Sequence, residues 1–143
     1  MSSKTDEVGA LLLALVDRVS HRGGDTLALL NEAGLTLPQV LFLTRLRQAG
    51  QSTPSELAER LNMSLPATSQ MVDRLFKLDF LTRSEDEDDR RRKRLAVTPA
   101  GERMLDKLAR ARAAEYATGT ARLSPAVRRE LAAALAKAVR ELS

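Results

Sequence analysis

The chain has 143 residues, a formal net charge of +4, 43% hydrophobic residues and 29% charged residues. This length and composition are typical of one globular protein with a packed core. The absence of cysteine excludes disulfides, thiol redox sensing and cysteine-ligated metals, and a single histidine, His21, leaves no histidine-based metal site or catalytic triad. We therefore expect neither an enzyme nor a cofactor.

The sequence predicts no export signal and no membrane span. The N-terminal segment carries acidic residues instead of a basic region, and the apolar stretch 10–16 is followed directly by Asp17 and Arg18. No run approaches the roughly 18 to 20 apolar residues that cross a bilayer. We therefore expect a cytoplasmic protein that has no membrane partner.

Three helices are predicted in the N-terminal third. Apolar residues three and four apart predict an amphipathic helix over residues 6–20, and a shorter helix over 25–33 that ends at Gly34. Thr36 and Gln39 have the capping-box spacing, with a proline in the first turn, so a third helix is predicted over about residues 37–48. Its expected inward residues are Val40, Leu41, Leu43, Thr44 and Leu46.

Two more helices follow with a short turn between them. Thr53 and Glu56 repeat the capping-box spacing, again with a proline in the first turn. Ser64 then caps the next helix, and Asn62, between the two, is a residue type that tolerates a left-handed turn. Two helices joined by about three residues predict a helix-turn-helix over residues 53–79.

A hairpin and two further helices complete the chain. Residues 80–98 hold two strand-like runs that flank five consecutive acids and five consecutive bases, which predicts a β-hairpin with a charged tip. A helix from Pro99 is expected to end at Gly119, and a last helix covers residues 124–142.

The first and last helices each expose an apolar face outside the helix-turn-helix, and too little chain remains to cover both faces. This favours a homodimer. The expected interface residues are Leu12, Leu15, Val127, Leu131, Leu135 and Val139.

A helix-turn-helix followed by a hairpin is a winged helix, which most often places its second helix in the DNA major groove and its wing beside the minor groove. Residues 62–72 contain no acid that would face phosphate, and an arginine in a narrow minor groove is favoured by the negative potential there. The predicted contacts to double-stranded DNA are Ser64, Ala67, Thr68, Ser69, Gln70 and Arg74 on the helix, and Arg90, Arg91, Arg92 and Arg94 on the wing.

A second interpretation stays open on these residues alone. Some winged helices bind other proteins, and a hairpin with blocks of opposite charge is also a well-solvated surface. A protein-interaction module without specific DNA binding predicts that DNA affinity is absent or does not change when Arg91 is replaced.

Four segments of the chain follow a known pattern: residues 35–39, 53–58, 66–75 and 89–101, the last with Asp89, Arg91 and a Thr-Pro-Ala-Gly ending. They resemble the MarR family of bacterial winged-helix transcriptional regulators, whose wing carries Asp-x-Arg and leads into Leu-Thr-x-x-Gly. The resemblance implies a mainly α fold with a small β-hairpin. It implies a winged helix-turn-helix over residues 35–98, with the wing at 80–98, flanked by dimerisation helices in residues 1–34 and 99–143.

The same resemblance implies a dimeric, ligand-responsive repressor that binds a near-palindromic operator in the bacterial cytoplasm, associated with the nucleoid. It assigns Asp89 to orienting the wing and Arg91 to the minor groove. The implied effector is a small aromatic or anionic molecule. The candidate cleft residues are His21, Arg22, Phe42, Arg45 and Tyr116, although the aromatic pair also suits packing and His21 also suits a helix end. Two positions depart from the family pattern: Gln70 stands where many members have arginine, and Asp79 where many have glycine.

Overall fold

The computed structural model describes residues 3–20, 25–85 and 87–143. Within them the elements are α1 Lys4–Val19, α2 Asp25–Ala33, α3 Leu37–Ala49, α4 Pro54–Arg60, α5 Leu65–Lys77, β1 Leu81–Glu85, β2 Lys93–Val97, α6 Pro99–Thr120 and α7 Pro125–Glu141. The expected fold class, helical with a two-stranded antiparallel hairpin, is confirmed. No single described helix is long and apolar enough to cross a membrane; α2 and α3 meet that test of length and composition only as a pair, bent by 84°.

The helix starts lie where the capping patterns predict them. The hydroxyl of Thr53 accepts a hydrogen bond from the Glu56 N–H at 3.2 Å, and the Glu56 carboxylate accepts one from the Thr53 N–H at 3.0 Å. Thr36 and Gln39 form the same reciprocal pair at the start of α3. These bonds satisfy backbone N–H groups that have no partner within the helix, which is why the helices begin at these residues.

In the described part of the chain, two residues other than glycine have left-handed backbone conformations, Asn62 with φ 51° and Asp79 with φ 62°. Asn62 lies in the turn between α4 and α5, as predicted. Asp79 lies in the turn between α5 and β1, at the position where the sequence departs from the glycine of many family members. Asparagine and aspartate are the side chains that tolerate this conformation best, so the departure is compatible with the turn.

The described chain divides into two compact units. The winged-helix unit comprises residues 26–110, and the helical unit comprises the residues up to Asp25 together with 111–143. This division differs from the predicted domain limits at residues 34 and 98. Leu30 of α2, and Leu105 and Leu108 of α6, are buried in the core of the winged-helix unit, and these contacts group both segments with it.

The core of the winged-helix unit is built from leucine and phenylalanine. On α3 the buried residues are Phe42, Leu43 and Leu46, whereas Leu41 is 61% exposed. The expectation that Leu41 points inward is therefore wrong. On a helix with 3.6 residues per turn, a stripe through residues 42, 43 and 46 leaves residue 41 on the other side, beside the exposed Leu37.

The hairpin is attached to the helix-turn-helix through its second strand. β1 and β2 pair antiparallel with Arg83 opposite Leu95. On its other edge Leu95 pairs with Ser52: the Leu95 N–H donates to the Ser52 carbonyl at 2.8 Å, and the Ser52 N–H donates to the Leu95 carbonyl at 3.1 Å. The segment before α4 is therefore joined to the wing by one β-bridge.

The helical unit contains a close approach between α1 and α6. The expectation that Gly119 ends a helix is wrong, because α6 continues to Thr120. A Cβ at position 119 would lie 2.7 Å from the Cα of Val19 and 2.9 Å from its carbonyl oxygen. Glycine is required here because the backbone of α1 occupies the space of a side chain.

Replacing Gly119 with alanine is expected to lower the free energy of unfolding by about 1 to 3 kcal/mol, since the two backbones must move apart. Gly9 of α1 is the matched control, because no described atom lies within 4 Å of its Cβ position. Gly9→Ala is expected to raise stability by roughly 0.5 to 1 kcal/mol through helix propensity. Thermal unfolding at one fixed protein concentration measures both variants, and shifts of the same sign would contradict the close approach.

Candidate nucleic-acid interface

The outer side of α5 is polar. Of the six residues on or next to this helix that were predicted to contact DNA, five are exposed: Ser64, Ala67, Ser69, Gln70 and Arg74. Ser64 caps the helix, and its hydroxyl accepts a hydrogen bond from the Ala67 N–H at 3.2 Å. The helix therefore begins at the polar segment and presents its first two turns to solvent without an acidic side chain.

The sixth residue, Thr68, is a correction. Its side chain is fully buried, and its hydroxyl donates to the Ser64 carbonyl at 2.9 Å, so it does not face outward. Thr68 shares a helical stripe with the buried Val72 and Leu75, at spacings of four and three. This spacing is present in the sequence, and it places Thr68 on the buried stripe and not among the DNA contacts.

The tip of the wing holds three exposed arginines, Arg90, Arg91 and Arg92. The side chain of Asp89 accepts a hydrogen bond from the Arg91 N–H at 3.0 Å, and the Asp89 carbonyl accepts one from the Arg92 N–H at 2.9 Å. Asp89 thus contacts the backbone of the turn that carries these arginines. Aspartate commonly stabilises turns in this way, by bonding to the N–H two residues further on.

Arg94 lies in β2, because the second strand begins at Lys93, two residues earlier than predicted. Its side chain is exposed. Since successive strand residues point to opposite faces, Arg94 is on the face opposite the buried Leu95.

Arg83, which is not among the residues predicted from the sequence, links the wing to α5. Its guanidinium forms an ion pair with Asp73 at 2.8 Å and lies over the ring of Phe76, 4.0 Å from the ring centroid. The available signal was the alternation along β1, which puts residue 83 on the same face as the buried Leu81.

Glu56 connects the start of α4 with the base of the wing. Its carboxylate accepts hydrogen bonds from the Thr53 N–H and the Ser52 hydroxyl, both at 3.0 Å. These two bonds hold the pKa of Glu56 below its ordinary value of 4.5, and the positive charges of Arg92 and Arg94 act in the same direction. Glu56, the capping-box partner of Thr53, is therefore stabilised in its ionised form by two of the wing arginines.

The predicted effector cleft is only partly described. His21 and Arg22 lie outside the described residues. Phe42 is 1% exposed in the core of the winged-helix unit, so its assignment to a cleft is wrong; an aromatic residue on the inner stripe of α3 packs in the core. Arg45 is exposed in the same unit and donates to Gln48 at 3.2 Å.

The fifth cleft candidate, Tyr116, is half-buried on the part of α6 that belongs to the helical unit. Its hydroxyl accepts a hydrogen bond from Arg112 at 2.8 Å. The helical unit also contains a cavity of about 1130 Å³, and none of the three described candidates, Phe42, Arg45 and Tyr116, is among the described residues that line it. Its lining includes Leu11, Leu15, Val19, Arg18, Glu115 and Arg122.

The predicted dimer residues all lie in the helical unit and are accessible. Leu12, Val127, Leu135 and Val139 are exposed, and Leu15 and Leu131 are half-buried. Neither α1 nor α7, each described over its whole length, buries a side chain. Apolar faces of this kind on two helices of one unit are unusual for a monomer.

A helix-turn-helix whose second helix is followed by a hairpin packed on the same core defines a winged-helix protein. Comparison with known proteins narrows this class. Residues 35–93 match the sequence model of the MarR family. The structure of RV1404 from Mycobacterium tuberculosis superimposes with a TM-score of 0.73 at 29% identity, over 98% of this chain and 94% of that one. Over residues 35–93 the chain is therefore similar to the MarR family, and its fold matches the structure of RV1404.

Two further relatives differ in the extent of the match. The HTH-type transcriptional regulator YsmB of Bacillus subtilis, itself uncharacterised, is 31% identical over 80 residues, which are 56% of this chain and 55% of YsmB. The chain spans about half the length of the curated relatives it matches. The F27L mutant of MepR from S. aureus, solved bound to an oligodeoxyribonucleotide, shares the fold over the full length of both chains, with a TM-score of 0.67 at 19% identity.

The titration of Glu56 gives a testable pH dependence. Because its pKa is lower in the folded state, ionised Glu56 stabilises the fold above pH 4.5, and this contribution is lost as the pH falls through the lower folded pKa. Glu56→Gln keeps a capping side chain but removes the titration. The difference in free energy of unfolding between parent and variant, from urea denaturation, is expected to be largest near neutral pH and to shrink below pH 4.5. A difference that stays constant down to pH 3 would contradict this role.

Proposed function

We propose that the protein is a homodimeric transcriptional regulator that binds double-stranded operator DNA. One observation carries the proposal: the first two turns of α5, which hold no acid, and the turn with Arg90, Arg91 and Arg92 belong to one compact unit with one core. A polar helix beside a basic turn matches the two grooves of a duplex. The DNA-bound structure of MepR, which has the same fold, supports the proposal by analogy.

In the proposed complex, α5 enters the major groove. Exposed Gln70 suits a bidentate contact to adenine, and Ser64 and Ser69 suit phosphates or base edges. The wing places Arg91 at the minor groove, where the negative potential of a narrow groove favours arginine. The hydrogen bond from the Arg91 N–H to Asp89 holds the turn in shape, so Asp89 acts through the backbone.

Arg91→Ala is expected to weaken operator binding by about 1 to 3 kcal/mol and to reduce the slope of log K against log salt by about one. Arg110→Ala is the matched control, since this arginine is also exposed but lies on α6. Fluorescence anisotropy on DNA from the region upstream of the gene, at several salt concentrations, measures both quantities. If the parent binds no DNA, or if Arg91→Ala binds as well as the parent, the interpretation as a protein-binding winged helix is favoured instead.

We further propose that a second copy of the chain covers the apolar faces of α1 and α7. Val139 is 64% exposed and Leu12 47% exposed, and removing apolar side chains of this kind from water stabilises an interface. A two-fold dimer presents two winged-helix units to a near-palindromic operator, with half-sites one helical turn apart.

Leu131→Asp or Leu135→Asp is expected to convert the dimer to monomers, because each variant buries an unpaired carboxylate at an apolar interface. Lys137→Asp, on the same helix, is the control for a change of charge and is expected to remain dimeric. Light scattering coupled to size-exclusion chromatography measures the mass. If Leu131→Asp and Leu135→Asp both remain fully dimeric, α7 does not lie in the interface.

The proposal also includes repression that a ligand relieves. The proposed effector is a small aromatic or anionic molecule. The cavity of about 1130 Å³ in the helical unit has apolar lining from Leu11 and Leu15, and its charged lining comprises Arg18 and Arg122 together with the acids Asp17, Asp25 and Glu115. An anionic group would bind there only beside the two arginines. An effector that prefers dimers with the wrong spacing between the two winged helices lowers operator affinity by its differential binding. Operator-bound dimer would block RNA polymerase sterically in the bacterial cytoplasm.

A further inference from the structure

Arg83 occupies a position that differs from that of the wing-tip arginines. Along β1, buried Leu81 and half-buried Arg83 alternate with the exposed Thr82 and Ser84. Because strand residues two apart share a face, Arg83 points to the same side as Leu81, towards the core of the winged-helix unit. Its side chain is 29% exposed, although arginine is mostly found in solvent.

On the facing helix, Asp73 and Phe76 are three residues apart and therefore share a side of α5. The Nη1 atom of Arg83 lies 2.8 Å from Oδ1 of Asp73, and the Arg83 Cζ lies 4.0 Å from the centroid of the Phe76 ring. The planar guanidinium thus makes a charge-assisted hydrogen bond at its edge and a stacking contact on its face. A lysine ammonium cannot make both contacts with the same geometry.

These contacts join the middle of β1 to the last turns of α5. The hairpin is also attached through two sets of hydrogen bonds. Leu95, which lies opposite Arg83, exchanges backbone hydrogen bonds with Ser52, and at the base of the wing Thr98 donates to the Asp79 carbonyl at 2.6 Å. We call the contact of Arg83 with Asp73 and Phe76 the Arg83 clamp. It adds a side-chain attachment between the wing and α5, partway along the wing.

We propose that Arg83 is a positioning residue that holds the wing and the recognition helix α5 in one fixed relative orientation, and that it does not itself contact phosphate. The proposal rests on the DNA-binding function proposed above. Its charge is matched by Asp73 and its flat face is covered by Phe76, whereas Arg90 and Arg91 are exposed at the wing tip. Loss of the clamp is expected to change the geometry of binding and leave the number of phosphate contacts unchanged.

The first test needs no DNA. Because the chain contains no cysteine, Lys77→Cys on α5 and Glu87→Cys in the wing, both exposed positions, accept a spin label each and no other site reacts. Labelled protein is mixed with an excess of unlabelled protein, so that the distance within one chain is measured by pulsed electron paramagnetic resonance. Arg83→Gln is expected to broaden the distance distribution. Phe76→Leu, which keeps the ion pair, is expected to broaden it less, and an unchanged distribution in Arg83→Gln overturns the proposal.

The second test compares Arg83→Gln with Arg91→Gln, two variants with the same change of charge, on the same DNA. Arg83→Gln is expected to weaken binding about tenfold with the salt slope unchanged, whereas Arg91→Gln should lower the slope by about one. Arg83→Lys keeps the charge but not the planar geometry, so it is expected to resemble Arg83→Gln. A slope lowered by one in Arg83→Gln, or full affinity in Arg83→Lys, overturns the proposal. If the parent binds no DNA, the proposed function fails, and the label distances alone decide on the clamp.

Discussion

The winged-helix unit depends on the position of Leu95. Its side chain is fully buried, while its backbone pairs with Arg83 on one edge and with Ser52 on the other. Burying a leucine contributes about 1.5 to 3 kcal/mol, and this leucine cannot leave the core unless the hairpin leaves as well. The base of the wing is therefore part of the hydrophobic core, and the arginines at its tip are carried on that base.

Polar contacts determine how the other elements meet this core. Buried Thr98 donates to the Asp79 carbonyl at 2.6 Å and accepts from the Gly101 N–H at 3.0 Å, which joins the end of the wing to the turn after α5 and to the start of α6. A Cβ at Gly101 would overlap the Phe80 carbonyl oxygen, so the chain must pack backbone against backbone at this corner. Because buried polar groups require partners, these bonds permit few alternative arrangements.

Charge is distributed unevenly around this framework. The segment 53–98 contains equal numbers of acidic and basic residues, so its net charge does not attract DNA. Its polarity comes from placement. Asp73 is paired with Arg83, Asp89 is bonded to the backbone of the wing turn, and Arg90 and Arg91 are exposed. A segment with no net charge can present a basic surface only if some of its acidic side chains are engaged in contacts within the protein.

The sequence by itself determined where helices begin and which types of residue the wing carries, because capping boxes such as Thr53 with Glu56 and runs such as 90–94 are local in the chain. It did not determine that Thr68 and Phe42 are buried, that α6 continues through Gly119, or that Arg83 meets Asp73. Those outcomes depend on which surface a second element covers: Gly119 matters only because Val19 lies against it. Only the tertiary structure decided them. Capping hydrogen bonds join residues that are close in the sequence, so the local sequence determines them, whereas contacts between elements depend on how the whole core packs.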